Sequence, residues 1–242
     1  MASDDPDELL AEAYALDGPE ANRSLYARWA STYESGFVAD RGYVYPERVV
    51  AVFVEHGLDG AGVGDGDAVV DVGCGTGLAG TALRNLLGSG RSVIDGLDLS
   101  PEMLHQASLK QHEGAPVYRD LIEVDLTTTL PIATGTYAGA VSVGTFTHGH
   151  VGPASLPEVI RIVRPGGRLA IGINAAHFAA AGFGDAFDGL VAAGRITGLR
   201  FVDVPIYDGA DTTDTTDTTE PTEPTEPADP DQVAHVAVFE VC

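Results

Sequence analysis

The densest chemistry in this 242-residue sequence lies in the run Val69-Val-Asp-Val-Gly-Cys-Gly-Thr-Gly77. An apolar stretch carries an acid, Asp71, and then three glycines at alternate positions, Gly73, Gly75 and Gly77. Glycine permits positive φ and lets a ligand lie close against the backbone. If a helix opens at the end of such a turn, its first N–H groups are free to meet an acceptor. Two frames fit the glycines. Gly75-Thr-Gly-Leu-Ala-Gly80 matches the dinucleotide pattern GxGxxG, with Asp98 as the acid further on. That pattern starts late, because the chain already turns at Gly73. The second frame is Asp71-x-Gly73-x-Gly75-x-Gly77. An acid beside the turn suits a ligand with an ammonium group and disfavours a pyrophosphate. S-adenosyl-L-methionine has an α-ammonium, a sulfonium and no phosphate.

Other residues are candidates for the same site. Asp98 ends an apolar run, where its two oxygens can accept both hydroxyls of a ribose; a helix cap or a surface acid is the plainer role. Leu99 and Met103 can cover the faces of an adenine, although methionine also fills gaps in any core. His148 and His150 follow an apolar strand, where histidine suits a general base near neutral pH; structural hydrogen bonding is the alternative. Cys74 reads as a small packing residue and Cys242 has no evident role. Metal ligands are not expected: the regular acids of the C-terminal region lack the glycine turns and neutral oxygens of a preformed cage.

These residues need elements to hold them. Helical patterns run over Asp7 to Leu16, over Ser24 to Ser35 with Leu25, Trp29 and Tyr33 on one side, and from Pro46 to Gly57. Strands are expected at Asp67 to Val72, Ser92 to Asp98, Val117 to Val124, Tyr137 to Val143 and Arg168 to Ile173. Helices are expected between them at Leu78 to Leu87, from Ser100 with Pro101 in its first turn, and at Pro153 to Val163. A further helix is expected over Ala175 to Ala193. Alternation of strand and helix argues an α/β domain with a mainly parallel sheet. Arg200 to Tyr207 and Val233 to Val241 are both strand-like and suggest an antiparallel pair. Between them lies a Thr/Pro-rich tract with an acid at nearly every third position. It has no aromatic residue and no base, so it reads as a disordered insertion in a hairpin.

Several motifs, in order, resemble class I S-adenosylmethionine-dependent methyltransferases. Asp71-Val-Gly-Cys-Gly-Thr-Gly77 resembles the first motif and Gly96-Leu-Asp-Leu-Ser-Pro-Glu-Met-Leu104 the second. Ile162-Val-Arg-Pro-Gly-Gly167 resembles the turn before the fifth strand. More narrowly, Tyr26-Ala-Arg-Trp-Ala-Ser-Thr-Tyr33, Gly73-Cys-Gly-Thr-Gly-Leu78 and Gly144-Thr-Phe-Thr-His-Gly-His150 are similar to the methyltransferases that resemble the Williams–Beuren syndrome region protein. The resemblance implies a Rossmann-like sheet of seven strands with an antiparallel last strand, S-adenosyl-L-methionine as cofactor, and an N-terminal helical cap. It implies that Asp125, with Leu126 beside it, meets the adenine, that Gly144 borders the methionine moiety, and that Tyr33 in the cap lies near the cofactor. A turn acid and a plain packing stripe are the alternatives for Asp125 and Tyr33. Tyr43 and Tyr45 are further candidates for the pocket. The implied layout is a cap over 1–57, a cofactor-binding core over 58–207, the acidic insertion over 208–231 and a last strand over 232–242.

Composition narrows the partners. The chain has 36 Asp+Glu against 13 Lys+Arg, a net charge of −23, and a single lysine, Lys110. A negative field repels phosphate backbones, so nucleic acid is not expected as partner. The Asn/Asp-Pro-Pro-Tyr type of motif is absent, with Gly144-Thr-Phe-Thr-His in its place. No apolar run is long enough to span a membrane, and the acidic start is unlike a secretory signal, so a cytoplasmic location is expected. Residues 23–200 hold half of the acids and every base, so the excess charge sits on the two ends. Scarce lysine points to a salt-adapted cell or a GC-rich genome. The expected function is methyl transfer to a small-molecule acceptor. A cofactor-binding protein without transfer activity and an NAD-dependent oxidoreductase are the alternatives.

Overall fold

Regular alternation of buried strand and amphipathic helix begins at Ala68. A computed structural model describes residues 6–16, 18–57, 63, 64, 66–88, 92–208 and 229–242. The strands are β1 (Ala68–Val72), β2 (Val93–Asp98), β3 (Asp120–Glu123), β4 (Tyr137–Phe146), β5 (Val163–Asn174), β6 (Ile196–Pro205) and β7 (Val233–Val241). They form one seven-stranded sheet in the order β3-β2-β1-β4-β5-β7-β6. The first five pair in parallel, and β7 runs antiparallel between β5 and β6. The order reverses at β1, where neighbouring connections leave in opposite directions and open a crevice at the strands' carboxyl ends.

Three helices follow the glycine turn and its successors: α4 (Leu78–Leu87), α5 (Pro101–Ser108) and α6 (Leu156–Arg161). Before the sheet come α1 (Pro6–Tyr14), α2 (Pro19–Trp29) and α3 (Tyr45–Gly57); after β5 come α7 (Ala175–Ala181) and α8 (Phe183–Ala192). One face of the sheet buries Val69, Val141 and Ala170 against Val49 and Phe53 of α3 and Leu83 of α4. The other buries Val70, Val72 and Ile171 against Ile160 of α6 and Phe183 and Phe187 of α8. Alternate residues of β1 thus serve opposite layers, as period-2 geometry requires. The helical cap closes on its own small core of Leu9, Ala13, Leu25, Trp29 and Phe37.

Element ends differ from the sequence reading in instructive ways. The helix expected from Ser24 starts at Pro19, which occupies its first turn, and gives way after Trp29 to a wider π-type turn over Glu34–Val38. Residues 117–119 do not join β3; a two-residue hairpin, Gln111–His112 with Ala115–Pro116, precedes it. The fifth strand begins at Val163, not Arg168, with a register shift opposite Tyr137 and Gly139. Pro165-Gly-Gly167 therefore lies within a bulged strand. The helix expected over Ala175 to Ala193 breaks at Gly182, which has φ +77. Most of the acidic tract, 209–228, lies outside the described residues.

Gly80 has a packing role. A Cβ there would lie 2.2 Å from the Tyr118 hydroxyl oxygen and 2.3 Å from its ring carbon Cζ. Alanine would add about 1 kcal/mol of helix propensity. The whole ring must then move, and overpacking of this kind costs about 1–3 kcal/mol. Gly80→Ala is therefore expected to lower the urea midpoint of unfolding. The final glycine of the formal GxGxxG is accounted for by Tyr118.

Candidate active site

The turn Gly73–Gly77 bends the chain from β1 into α4 with φ +71, +53 and +94 at its three glycines. Such values are costly for residues with a Cβ. The turn floors a cavity of about 1040 Å³ whose walls include Gly73, Gly75, Thr76, Asp98, Leu99 and Met103. Asp125, Leu126 and Gly144 also line it, and Tyr33 and Asn22 face it from the cap.

Asp98 is held firmly. Its Oδ2 accepts from the Gly75 N–H at 2.8 Å and its Oδ1 from the Ser100 N–H at 2.9 Å. Ser100 in turn caps α5 by accepting from the Met103 N–H at 3.2 Å. Burial raises the Asp98 pKa, and these amides partly offset it. Each oxygen keeps a second lone pair for a ligand hydroxyl. Asp125 Oδ1 accepts from the Thr127 N–H at 2.8 Å and from its hydroxyl at 2.6 Å, an Asx turn that fixes the carboxylate at the wall. Two buried polar atoms of the lining lack partners among the described residues: Thr76 Oγ1 and Asn22 Oδ1. Orphaned atoms of this kind suit a polar ligand.

Three of the sequence candidates lie elsewhere. Asp71 does not line the cavity. It shares a face with Val69, is fully buried, and accepts from the Tyr118 hydroxyl at 2.7 Å through Oδ2. It therefore does not face a ligand ammonium. Burial pushes its pKa up from 3.8 to about 7, with the Tyr118 hydrogen bond opposing. Gly77 also turns away; a Cβ there would meet Tyr118, Lys110 and Ala107. His148 lines no described cavity, and its ring packs edge-on against His177 at 5.1 Å. Cys74 does border the cavity, but burial raises its thiol pKa first, with Asp98 and Asp71 adding to it, so the group stays an unreactive thiol.

The buried Asp71 makes stability depend on pH. Below about pH 4 the folded and unfolded states are both protonated. As pH rises from there, the unfolded chain ionises while the fold retains its proton. Stability present at low pH is lost progressively up to about pH 7, by roughly 4 kcal/mol. Asp71→Asn cannot ionise. Its urea stability, measured from pH 4 to pH 8, is expected to lack this decline.

His150 is better placed than His148. Its Nδ1 lies 2.7 Å from the His148 carbonyl, so Nδ1 carries the proton. Its Nε2 is then the acceptor for the Tyr26 hydroxyl, also at 2.7 Å. Burial lowers its pKa, so the ring is neutral near pH 7. Sequence reasoning missed this pairing because Tyr26 and His150 are far apart in the chain. It also missed Asn22 and Arg23, whose only signal is membership of the cap helix. Arg23 pairs with Glu123 at 2.9 Å and Lys110 with Glu34 at 2.5 Å, tying cap to core. Beyond Gly144 a second recess of about 520 Å³ shares Tyr26, Tyr33, Tyr43, Gly144 and His150 with the first. Tyr43 lines both cavities, and Tyr45 lines only the second recess.

Residues 69–167 match a family described as a methyltransferase domain. That stretch, the core of the chain, is a methyltransferase domain. The cofactor of this domain is S-adenosyl-L-methionine. The human methyltransferase-like protein 27 is 31% identical over 168 residues, covering 68% of this chain and 63% of that protein. The 18S rRNA (guanine(1575)-N(7))-methyltransferase of Saccharomyces cerevisiae is 36% identical over 75 residues, covering 31% of this chain and 24% of that protein. The chain thus spans less than two thirds of these relatives' length. Among solved structures, a chain of the Haloferax volcanii complex between the Trm112 methyltransferase activator and a methyltransferase is similar with a TM-score of 0.53. It is 21% identical, and the match covers 89% of this chain and 97% of that one. At that identity the likeness concerns the fold. The methyltransferase domain fits its cofactor at the level of donors and acceptors: a positive-φ turn for close approach, a fixed carboxylate at the end of β2, and orphaned polar atoms at Thr76 and Asn22.

Proposed function

We propose that the chain transfers a methyl group from S-adenosyl-L-methionine to a small-molecule acceptor held in the recess beyond Gly144. The observation that carries this reading is the shared wall of the two cavities, with Tyr26, Tyr33, Tyr43, Gly144 and His150 common to both. When bound, the cofactor supplies a methyl group already activated on a sulfonium. The chain's own work is then alignment and exclusion of water. Gly73, Gly75 and Gly144 let the backbone lie against the methionine part, where Thr76 and Asn22 have polar atoms to offer. Asp98 accepts the ribose hydroxyls. Leu99, Met103 and Leu126 cover the adenine, and Asp125 accepts from its amino group. Tyr33 and the cap close the mouth. His150 is the base for an acceptor that must lose a proton: Nε2 takes it, directly or through the Tyr26 hydroxyl.

The acidic chain is read as salt-adapted and cytoplasmic, with nucleic acid disfavoured by its charge. The yeast relative, whose name makes rRNA its substrate, supplies the contrasting reading. Tritium-labelled cofactor, mixed in parallel with a small-metabolite fraction and with structured RNA, separates the two. Label is expected in the metabolite fraction, and His150→Ala should lower its rate about 100-fold without loss of S-adenosylhomocysteine binding. Label in RNA alone would contradict the small-molecule assignment.

A further inference from the structure

We propose that the recess beyond Gly144 selects an uncharged aromatic acceptor bearing a carbonyl oxygen, and that Asn174 orients it by donating a hydrogen bond from Nδ2 to that oxygen. The inference rests on the methyltransferase reading and adds the substrate class.

Asn174 is the last residue of β5 and lines the recess. It is 3% exposed. Its Oδ1 accepts from the His177 N–H at 3.0 Å, capping α7. That bond settles which end of the amide is which: Nδ2 is the other end, a donor. It has no hydrogen-bond partner among the described residues. A buried donor without a partner is costly, so its presence in a cavity wall points to an acceptor atom supplied by the ligand. A histidine or a lysine in that place could pair with an anion; an amide N–H suits a neutral carbonyl oxygen.

The remaining wall sets the rest of the class. Trp29, Tyr33, Phe37, Tyr43, Tyr45 and Tyr207 line the recess together with aliphatic and small residues. Their rings already meet one another at tilted or edge-on angles with centroids 5.0–6.2 Å apart. Trp29, Phe37 and Tyr45 are buried, and the half-buried Tyr33, Tyr43 and Tyr207 leave ring surface for a further planar ring. Among the described residues, no Asp, Glu, Lys or Arg lines the recess. A charged acceptor would find no counter-ion there and would lose its hydration.

The test uses the full chain saturated with S-adenosylhomocysteine and three probes of one size: 4-hydroxyacetophenone, 4-ethylphenol and tyramine. Titration calorimetry is expected to show the ketone binding about tenfold more tightly than 4-ethylphenol, with tyramine weakest. Asn174→Asp keeps the α7 cap and removes the donor, so the ketone's advantage should vanish. Asn174→Ser, which also caps helices but is too short to reach the same point, gives the same reading should the aspartate fail to fold. An unchanged ketone preference in a folded variant would overturn the proposal. So would tightest binding of tyramine, or binding of S-adenosylhomocysteine with none of the three probes. Failure of folded wild-type protein to bind S-adenosylhomocysteine would instead overturn the methyltransferase reading, and this proposal with it.

Discussion

Gly73→Ala is expected to fold and to lose cofactor binding by at least 100-fold. Two costs combine at this position. The backbone has φ +71, where a residue with a Cβ is disfavoured by roughly 1–2 kcal/mol. The added Cβ would also sit 1.8 Å from Thr145 Oγ1 and 2.8 Å from both Cβ and Cγ2 of the same residue. No rotamer of Thr145 clears its own Cβ, so the turn itself must shift. Thr145 anchors this approach by donating to the Val72 carbonyl at 3.1 Å. Since Gly73 and Thr145 both line the cofactor cavity, the shift falls on the ligand surface. Calorimetric titration with S-adenosylhomocysteine checks the affinity and circular dichroism checks the fold. Adding Thr145→Ala should recover part of the lost stability and little of the affinity, because the Cβ contact and the φ penalty remain.

Asp98→Ala is the second large effect, again at least 100-fold in cofactor affinity. The substitution removes the acceptor that holds the Gly75 and Ser100 N–H groups at 2.8 and 2.9 Å. It therefore loosens the glycine turn and the start of α5 together. It also removes both oxygens available to ribose hydroxyls. Charge-assisted hydrogen bonds are worth about 1.5–3 kcal/mol each, so loss of two accounts for a change of this size. Asp98→Asn keeps one accepting oxygen and should fall between the alanine variant and the wild type. Equal affinity in all three would mean that the carboxylate is a structural cap alone.

Much of the scaffold was legible because its signals are local. Leu78–Leu87 is a helix with the bounds its apolar spacing gave, and Ser100 caps α5 as its type and the following proline required. The glycine turn was legible for the same reason: alternate glycines after a buried strand have few other uses. The role read for Asp71 was not. Its position beside the glycines suggested a ligand contact, yet strict alternation along β1 puts it with Val69, facing Tyr118 and away from the cavity. Gly77 misled in the same way, its positive φ serving helix entry and close packing against Tyr118. Contacts between distant segments carry no local signal. Tyr26 with His150, Arg23 with Glu123, and the assembly of the aromatic recess from α2, the π-type turn and the residues after β6 all belong to that class. The early start of β5 reflects tertiary pairing that overrides local pattern, whereas the break at Gly182 is a local one, made by a glycine at φ +77.

Equilibrium dialysis of the full chain against labelled S-adenosyl-L-methionine, at the salt concentration where the protein is folded, tests whether the cavity above the glycine turn holds this cofactor. One saturable site is expected, displaced by S-adenosylhomocysteine and not by NAD. Absence of saturable binding by folded protein, or tighter binding of NAD, would contradict it.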